Sequence, residues 1–173
     1  VSSNLPKKGL HDFVKLAQRL EHRGAQIDCL LIGPENTYLH DLKAQQARGE
    51  LPQNLVMPGY LETPQQALAL LDVVVNLSHF EESFGRTVLE AMAAARPVVC
   101  YAHGALPELV VEDENGYLVP FKAVNLVAEK LILLAQDAGL RKRMGLAGQA
   151  RALERYSIAN MHKALAGALE GCR

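Results

Sequence analysis

An α/β domain with a parallel sheet covered by helices on both faces is the fold class that the sequence predicts. Three observations predict it. Short apolar runs at 27–32, 55–57, 73–75, 98–100 and 117–119 have strand length and are apolar on both faces, as strands buried on both sides are. Most gaps between these runs carry helical periodicity or helix-start signals. The connections are short and rich in glycine, so each strand leads quickly into its covering helix.

Composition agrees with one domain of 173 residues, 49% hydrophobic and only 5% aromatic. With 18 basic and 19 acidic residues, nothing in the charge favours nucleic acid. The three cysteines, Cys29, Cys100 and Cys172, are odd in number and far apart, which suits a reducing compartment and no metal cluster. No signal-peptide pattern is visible. The most apolar segment, 67–77, is interrupted by Asp72 and Asn76 and is too short to span a bilayer.

In chain order, Val1-Ser2-Ser3 reads as the end of a strand and Asn4 to Gly9 as a loop. Leu10, Phe13, Val14, Ala17 and Leu20 recur at helical spacing, and Gly24 closes that helix. The strand at 27–32 ends in the turn Gly33-Pro34-Glu35-Asn36, and a more polar helix follows over 38–48. After the strand at 55–57 and Pro58-Gly59-Tyr60, Thr63-Pro64-Gln65-Gln66 has the form of a capping box with proline at the first helical position. That helix runs through Leu71. The strand at 73–75 leads into Ser78-His79-Phe80. A loop ending at Ser83-Phe84-Gly85 then opens a helix over 86–95, which Pro97 stops before the strand at 98–100. The loop 102–105 and the Asn115-Gly116 turn precede the last strand. From about Ala123 the chain reads as helical, with breaks near Gly139 and Ser157.

Parallel sheets take ligands at the C-terminal ends of their strands. The richest loop there is the one before the helix at 86–95. A helix start offers unpaired amides and a favourable dipole to an anion. Gly85 removes a side chain where a ligand approaches, and Thr87 adds a hydroxyl. Glu82 and Glu90 lie roughly 10 Å apart along the axis at about 1.5 Å per residue. Carboxylates accept hydrogen bonds from vicinal hydroxyls, so a diphosphate with a sugar at each end has the matching shape. Taken alone, the glutamates read more readily as plain helix-terminal charges.

A longer match carries more weight. Glu82-Ser83-Phe84-Gly85 followed by Glu90-Ala91-Met92-Ala93 resembles the E-G-F-G-x-x-x-x-E-A-M-A pattern of the donor-binding, C-terminal half of retaining GT-B glycosyltransferases of family 4. Ser83 replaces the pattern's first glycine and is expected to serve as an N-cap. Lys8-Gly9, Gly33-Pro34, Pro97-Val98-Val99, Gly104-Ala105-Leu106-Pro107-Glu108 and Asn115-Gly116-Tyr117-Leu118-Val119-Pro120 resemble other segments of that family in the same order.

The resemblance implies a Rossmann-like, three-layer α/β/α domain over residues 1–173, one half of a GT-B fold whose N-terminal acceptor domain is absent from this chain. It implies a nucleoside-diphosphate sugar as donor and retaining transfer to the hydroxyl of a glycan or lipid-linked glycan, in polysaccharide or lipopolysaccharide biosynthesis. Glu82 and Lys8 take the catalytic roles, on the sugar and the diphosphate. Gly9, Gly33, Ser83, Phe84, Gly85, Arg86, Thr87 and Glu90 take donor-binding roles, with Glu90 on the ribose. No D-x-D metal motif occurs, so donor binding without metal or other cofactor is expected. Cytoplasmic placement follows, with peripheral attachment at the inner membrane through the full-length protein. This chain alone is expected to bind nucleotide and to transfer little sugar.

One departure stands out. The family's arginine, about five residues before the lysine, is Ser3 here; either Lys7 or Arg86 supplies the second positive charge, with Arg86 favoured by its place beside the turn, or donor binding is weaker than usual for the family. His79, His103 and Tyr60 lie on loops of the same crevice, and Glu108 reads as a residue that caps or orients its own loop. A 2-epimerase acting on nucleotide sugars and a non-enzymatic nucleotide-sensing module remain as the alternative readings.

Overall fold

The computed structural model describes residues 6–160 and 162. A 3-10 turn at Pro6–Lys8 is followed by α1 (Leu10–His22), β1 (Cys29–Ile32), α2 (Thr37–Ala47), β2 (Leu55–Gly59), α3 (Pro64–Ala69) and β3 (Val74–Asn76). Then come α4 (Arg86–Ala93), β4 (Val98–Tyr101), α5 (Leu106–Leu109), β5 (Gly116–Val119), α6 (Val124–Gln136) and α7 (Ala138–Tyr156). Every strand pairing is parallel. β1 pairs with β2 in one sheet, and β3, β4 and β5 lie in that order in another.

Side-chain alternation along β4 sorts the helices into two layers. Val99 and Tyr101 join a core with Leu16, Ala17 and Leu20 of α1 and Val127, Leu131 and Leu134 of α6. Val98 and Cys100 point the other way, towards Val88, Ala91 and Met92 of α4 and Ala152 of α7. That is the expected three-layer α/β/α arrangement. Gly145 lets α7 lie against the end of α4, where a Cβ would stand 2.1 Å from the Ala95 carbonyl oxygen.

Local rules account for most boundaries. Thr63 and Gln66 form the expected capping box, and Asn36 Oδ1 caps α2 by accepting from the Leu39 amide at 2.9 Å. β1 starts two residues later than the apolar run because the Ile27 amide turns back onto the Ala25 carbonyl. α4 ends at Ala93, and Arg96 N–H closes back on Ala91 O before Pro97. The break expected near Gly139 falls at Asp137, whose side chain accepts from the Leu140 amide. α5 is additional to the sequence reading; its four residues are too few to show a period. The strand reading of Val1-Ser2-Ser3 and Cys172 lie outside the described residues.

Candidate donor site

The turn Pro6–Lys8 sits on the C-terminal end of β3. The Lys7 carbonyl accepts from the His79 amide at 2.9 Å. Gly9 follows at φ 76°, and a Cβ there would stand 1.8 Å from the Leu77 carbonyl oxygen, so only glycine fits. This close seat brings the Lys8 Nζ to 2.6 Å from Glu82 Oε1, with both side chains largely buried.

The loop after β4 positions Glu82 from the other side. The Ala105 amide donates to the Glu82 carbonyl at 2.8 Å, and Gly104, at φ 58°, lies so close that a Cβ would meet the Glu82 nitrogen at 2.6 Å. The segment Gly104 to Glu108 therefore works as a backbone clamp. Glu108 contributes its carbonyl, which accepts from Arg151 Nη2, while its side chain is exposed and caps nothing.

Gly85, left-handed at φ 82°, is the N-cap of α4, and a Cβ on it would strike Leu106 and Leu109. Ser83 is not the cap: it is exposed, two residues before Gly85, and the left-handed turn at Gly85 leaves α4 with no side-chain cap. Val88 and Leu89 N–H donate to Gly85 O, and those of Arg86 and Thr87 precede that first closure. Glu90 lies just over one turn in and pairs with Arg86 at 3.5 Å, with most of the Arg86 side chain in solvent.

Lys8, Glu82, Arg86, Thr87 and Glu90 all line one cavity of about 870 Å³. Gly9 and Gly85 shape its turns without lining it. Gly33 is buried at the end of β1, donating its amide to the Gly59 carbonyl at 3.1 Å. Phe84 faces away, half exposed and edge-on to Tyr156. Lys7 lies over the Phe80 ring, 5.3 Å from its centroid, and Tyr60 is 65% exposed rather than packed on the domain.

Asp12 is the functional-site candidate that sequence reasoning missed. It is buried in the first turn of α1, accepts from the Tyr101 hydroxyl at 2.9 Å and faces His79 Nε2 at 2.7 Å. Burial pushes its carboxyl up, but the hydrogen bonds from His79 and Tyr101 and the charge of Lys15 outweigh it, so the group is held below the usual carboxylate range. Burial and Asp12 together push the Tyr101 hydroxyl up. Phe121 joins the cluster edge-on to His79, while His103 stacks on it at 4.6 Å between centroids. The loops after β3, β4 and β5 thus meet in one histidine–aromatic group. The Cys29 and Cys100 thiols are pushed up to about 12 by burial, which leaves them inert at neutral pH.

With the site in view, comparison with known proteins decides the family. The model of "Glycosyl transferases group 1" matches residues 1–151. The chain belongs to that family. A putative colanic acid biosynthesis glycosyltransferase of Escherichia coli (strain K12) is 31% identical over 140 residues, 75% of this chain and 34% of that protein. An Anabaena protein crystallised in complex with UDP superposes with a TM-score of 0.85 at 26% identity, over 98% of this chain and 47% of the other. The C-terminal domain of a group 1 glycosyl transferase from Francisella tularensis gives a TM-score of 0.74 at 29% identity, over 89% of this chain and 82% of that domain. This group 1 chain spans about a third of the length of the curated relative from Escherichia coli and corresponds to a C-terminal GT-B domain.

Among the described residues no group of three or more His, Cys, Asp or Glu is placed to hold a metal ion, and no helix is long and apolar enough to cross a membrane.

Proposed function

We propose that this domain binds the nucleoside-diphosphate sugar of a retaining glycosyltransferase that builds a polysaccharide or lipopolysaccharide. The observation that carries the reading is the Lys8–Glu82 contact beside the start of α4, with Glu90 about one turn further on. That the Anabaena neighbour was crystallised in complex with UDP supports a nucleotide as the ligand.

In this reading the diphosphate lies across the first turn of α4. Lys8 has three N–H donors, so it keeps Glu82 and still donates to a phosphate oxygen. It then ties the carboxylate that orients the transferred sugar to the group that leaves. As the glycosidic bond breaks, negative charge grows on the diphosphate, and Lys8 with the Arg86 and Thr87 amides stabilises it electrostatically. Glu90 receives the ribose hydroxyls. The Arg86–Glu90 pair is exposed and weak, so the guanidinium is free to turn to phosphate. The acceptor, a glycan or lipid-linked glycan, belongs to a second domain outside this chain, and metal takes no part in donor binding.

Calorimetric titration with UDP and UDP-glucose, in buffer containing EDTA, tests the proposal. Binding of both at micromolar to millimolar affinity is expected. Binding that needs added magnesium or manganese overturns the phosphate site, and no binding to any nucleoside diphosphate overturns the donor role.

A further inference from the structure

Asp12 is only 5% exposed, yet nothing in the proposed donor chemistry uses it. One of its oxygens, Oδ2, accepts from two different loops, from His79 Nε2 at 2.7 Å and from the Tyr101 hydroxyl at 2.9 Å. An ionised carboxylate can only accept, so the His79 proton sits on Nε2. Hydrogen bonds to a charged acceptor are shorter and stronger than those between neutral groups, and burial strengthens them further. Phe121 stands edge-on to both the His79 and the Tyr101 rings and walls the junction.

Each of the three segments joined there carries or clamps a member of the Lys8–Glu82 pair. Asp12 lies four residues after Lys8, in the first turn of α1. His79 lies three residues before Glu82 on the loop after β3, and its amide donates to the Lys7 carbonyl at 2.9 Å. His79 therefore grips the lysine's segment on both sides of Lys8, by backbone before it and by side chain after it. Tyr101 ends β4, three residues before Gly104, whose backbone presses on that of Glu82. The close backbone seats at Gly9 and Gly104 fix where the segments cross. A segment held at one point can still pivot about it, and a second, separate hold at Asp12 removes that freedom.

We infer that Asp12 is a positioning residue of the donor site: through His79 and Tyr101 it holds Lys8 and Glu82 at the spacing that meets the diphosphate and the transferred sugar. The inference rests on the donor reading of that pair. Asp12 need not touch the ligand to matter, since a misplacement of about 1 Å caused far from the chemistry is enough to cost roughly a hundredfold in rate. Polar groups in a site keep their geometry only where their supporting side chains are themselves locked by hydrogen bonds. Glu90 stands on α4, outside the three joined segments, so the ribose end of the site should not feel the loss of Asp12.

The test titrates the 173-residue chain and its Asp12→Asn, His79→Phe and His79→Gln variants with uridine, UDP and UDP-glucose, at a temperature where melts show each one folded. Asp12→Asn keeps the shape and loses the charge. His79→Phe keeps a ring without the N–H, and His79→Gln returns an N–H at about the reach of Nε2. UDP and UDP-glucose are expected to weaken about three- to tenfold in Asp12→Asn and His79→Phe, with uridine unchanged and most of the loss recovered in His79→Gln. Hydrogen exchange at the His79 and Ala105 amides, which donate to Lys7 and Glu82, reads the same junction without ligand. It should be about tenfold faster in Asp12→Asn, while the Leu39 amide at the start of α2 stays as it was. The inference is overturned if uridine weakens as much as UDP-glucose, if the variants bind all three ligands as the parent does, or if the Leu39 amide speeds up with the other two. A His79→Gln variant no better than His79→Phe overturns the route through His79. Should Asp12→Asn fail to fold, the two His79 variants carry the same comparison. A parent chain that binds no nucleoside diphosphate refutes the donor reading instead, and exchange at the two amides then decides by itself whether Asp12 sets the geometry of the pair.

Discussion

Replacing Lys8 by Met removes a charge while keeping most of the stem, and two separate losses follow from the geometry. The first is stability. Glu82, only 16% exposed in its side chain, loses a partner at 2.6 Å. An unpaired, mostly buried charged group costs about 1–3 kcal/mol, or roughly 2–12 °C in melting temperature for a domain of this size. The second is affinity. A charge-assisted contact to phosphate is worth about 1.5–3 kcal/mol, so UDP should weaken about ten- to a hundredfold while uridine is unchanged. The double variant Lys8→Met/Glu82→Gln separates the two, since it leaves no unpaired charge. Its melting temperature should recover in part, and its UDP affinity should stay low. Calorimetry with UDP and uridine, and a melt on each variant, are the assay. A double variant that binds UDP as well as the parent protein, or equal losses for UDP and uridine, would refute the assignment of Lys8 to phosphate.

The two glutamates should fail differently. Glu90→Ala should weaken UDP and UDP-glucose alike, whereas Glu82→Ala frees the Lys8 ammonium and should keep UDP binding while weakening UDP-glucose; loss of UDP in both variants by titration would remove the two-ended arrangement. Gly104→Ala forces a left-handed alanine against the Glu82 backbone, at a cost of about 1–3 kcal/mol from the dihedral alone, and a melt unchanged from the parent would show that the clamp is not tight. Asp12→Asn removes a carboxylate whose folded pKa is depressed, so its stabilising contribution is complete above the unfolded value near pH 4 and lost as pH falls below it. The gap in melting temperature between parent and Asp12→Asn should therefore be widest near neutral pH and close below about pH 4; a gap that widens on acidification contradicts the pairing with His79 and Tyr101.

What the sequence made legible was local in origin. Three of the five strand runs are followed at once by glycine or proline (Gly33, Pro58 and Pro120), the Thr63 capping box is contained in four residues, and Gly9 and Gly85 each stand immediately before a helix. Contacts made at long range were not legible. Asp12 drew no reading from the sequence, since its partners lie 67 and 89 residues away. Ser83 had the right chemistry for a cap, but Leu106 and Leu109 press on the turn so closely that the cap position goes to a glycine. Tertiary packing outranked capping preference there. The same limit applies to Gly104, whose motif was visible while its contact with Glu82, from another loop, was not.

The unliganded charges also bear on what stands in for the family arginine at Ser3. Four of them form two cation–carboxylate pairs, Lys8 with Glu82 and Arg86 with Glu90. A diphosphate adds negative charge and needs a cation that gives up little by moving. Lys8 already serves Glu82 at short range in a largely buried setting. Lys7 holds its ammonium over Phe80, and its backbone is fixed by the His79 amide. Arg86 has a longer contact and 85% of its side chain exposed, so solvent screens what it would lose. Its guanidinium also offers a planar fork suited to two phosphate oxygens, which an ammonium lacks. On these grounds we propose Arg86, rather than Lys7, as the second positive charge of the donor site; its departure would at the same time free Glu90 for the ribose.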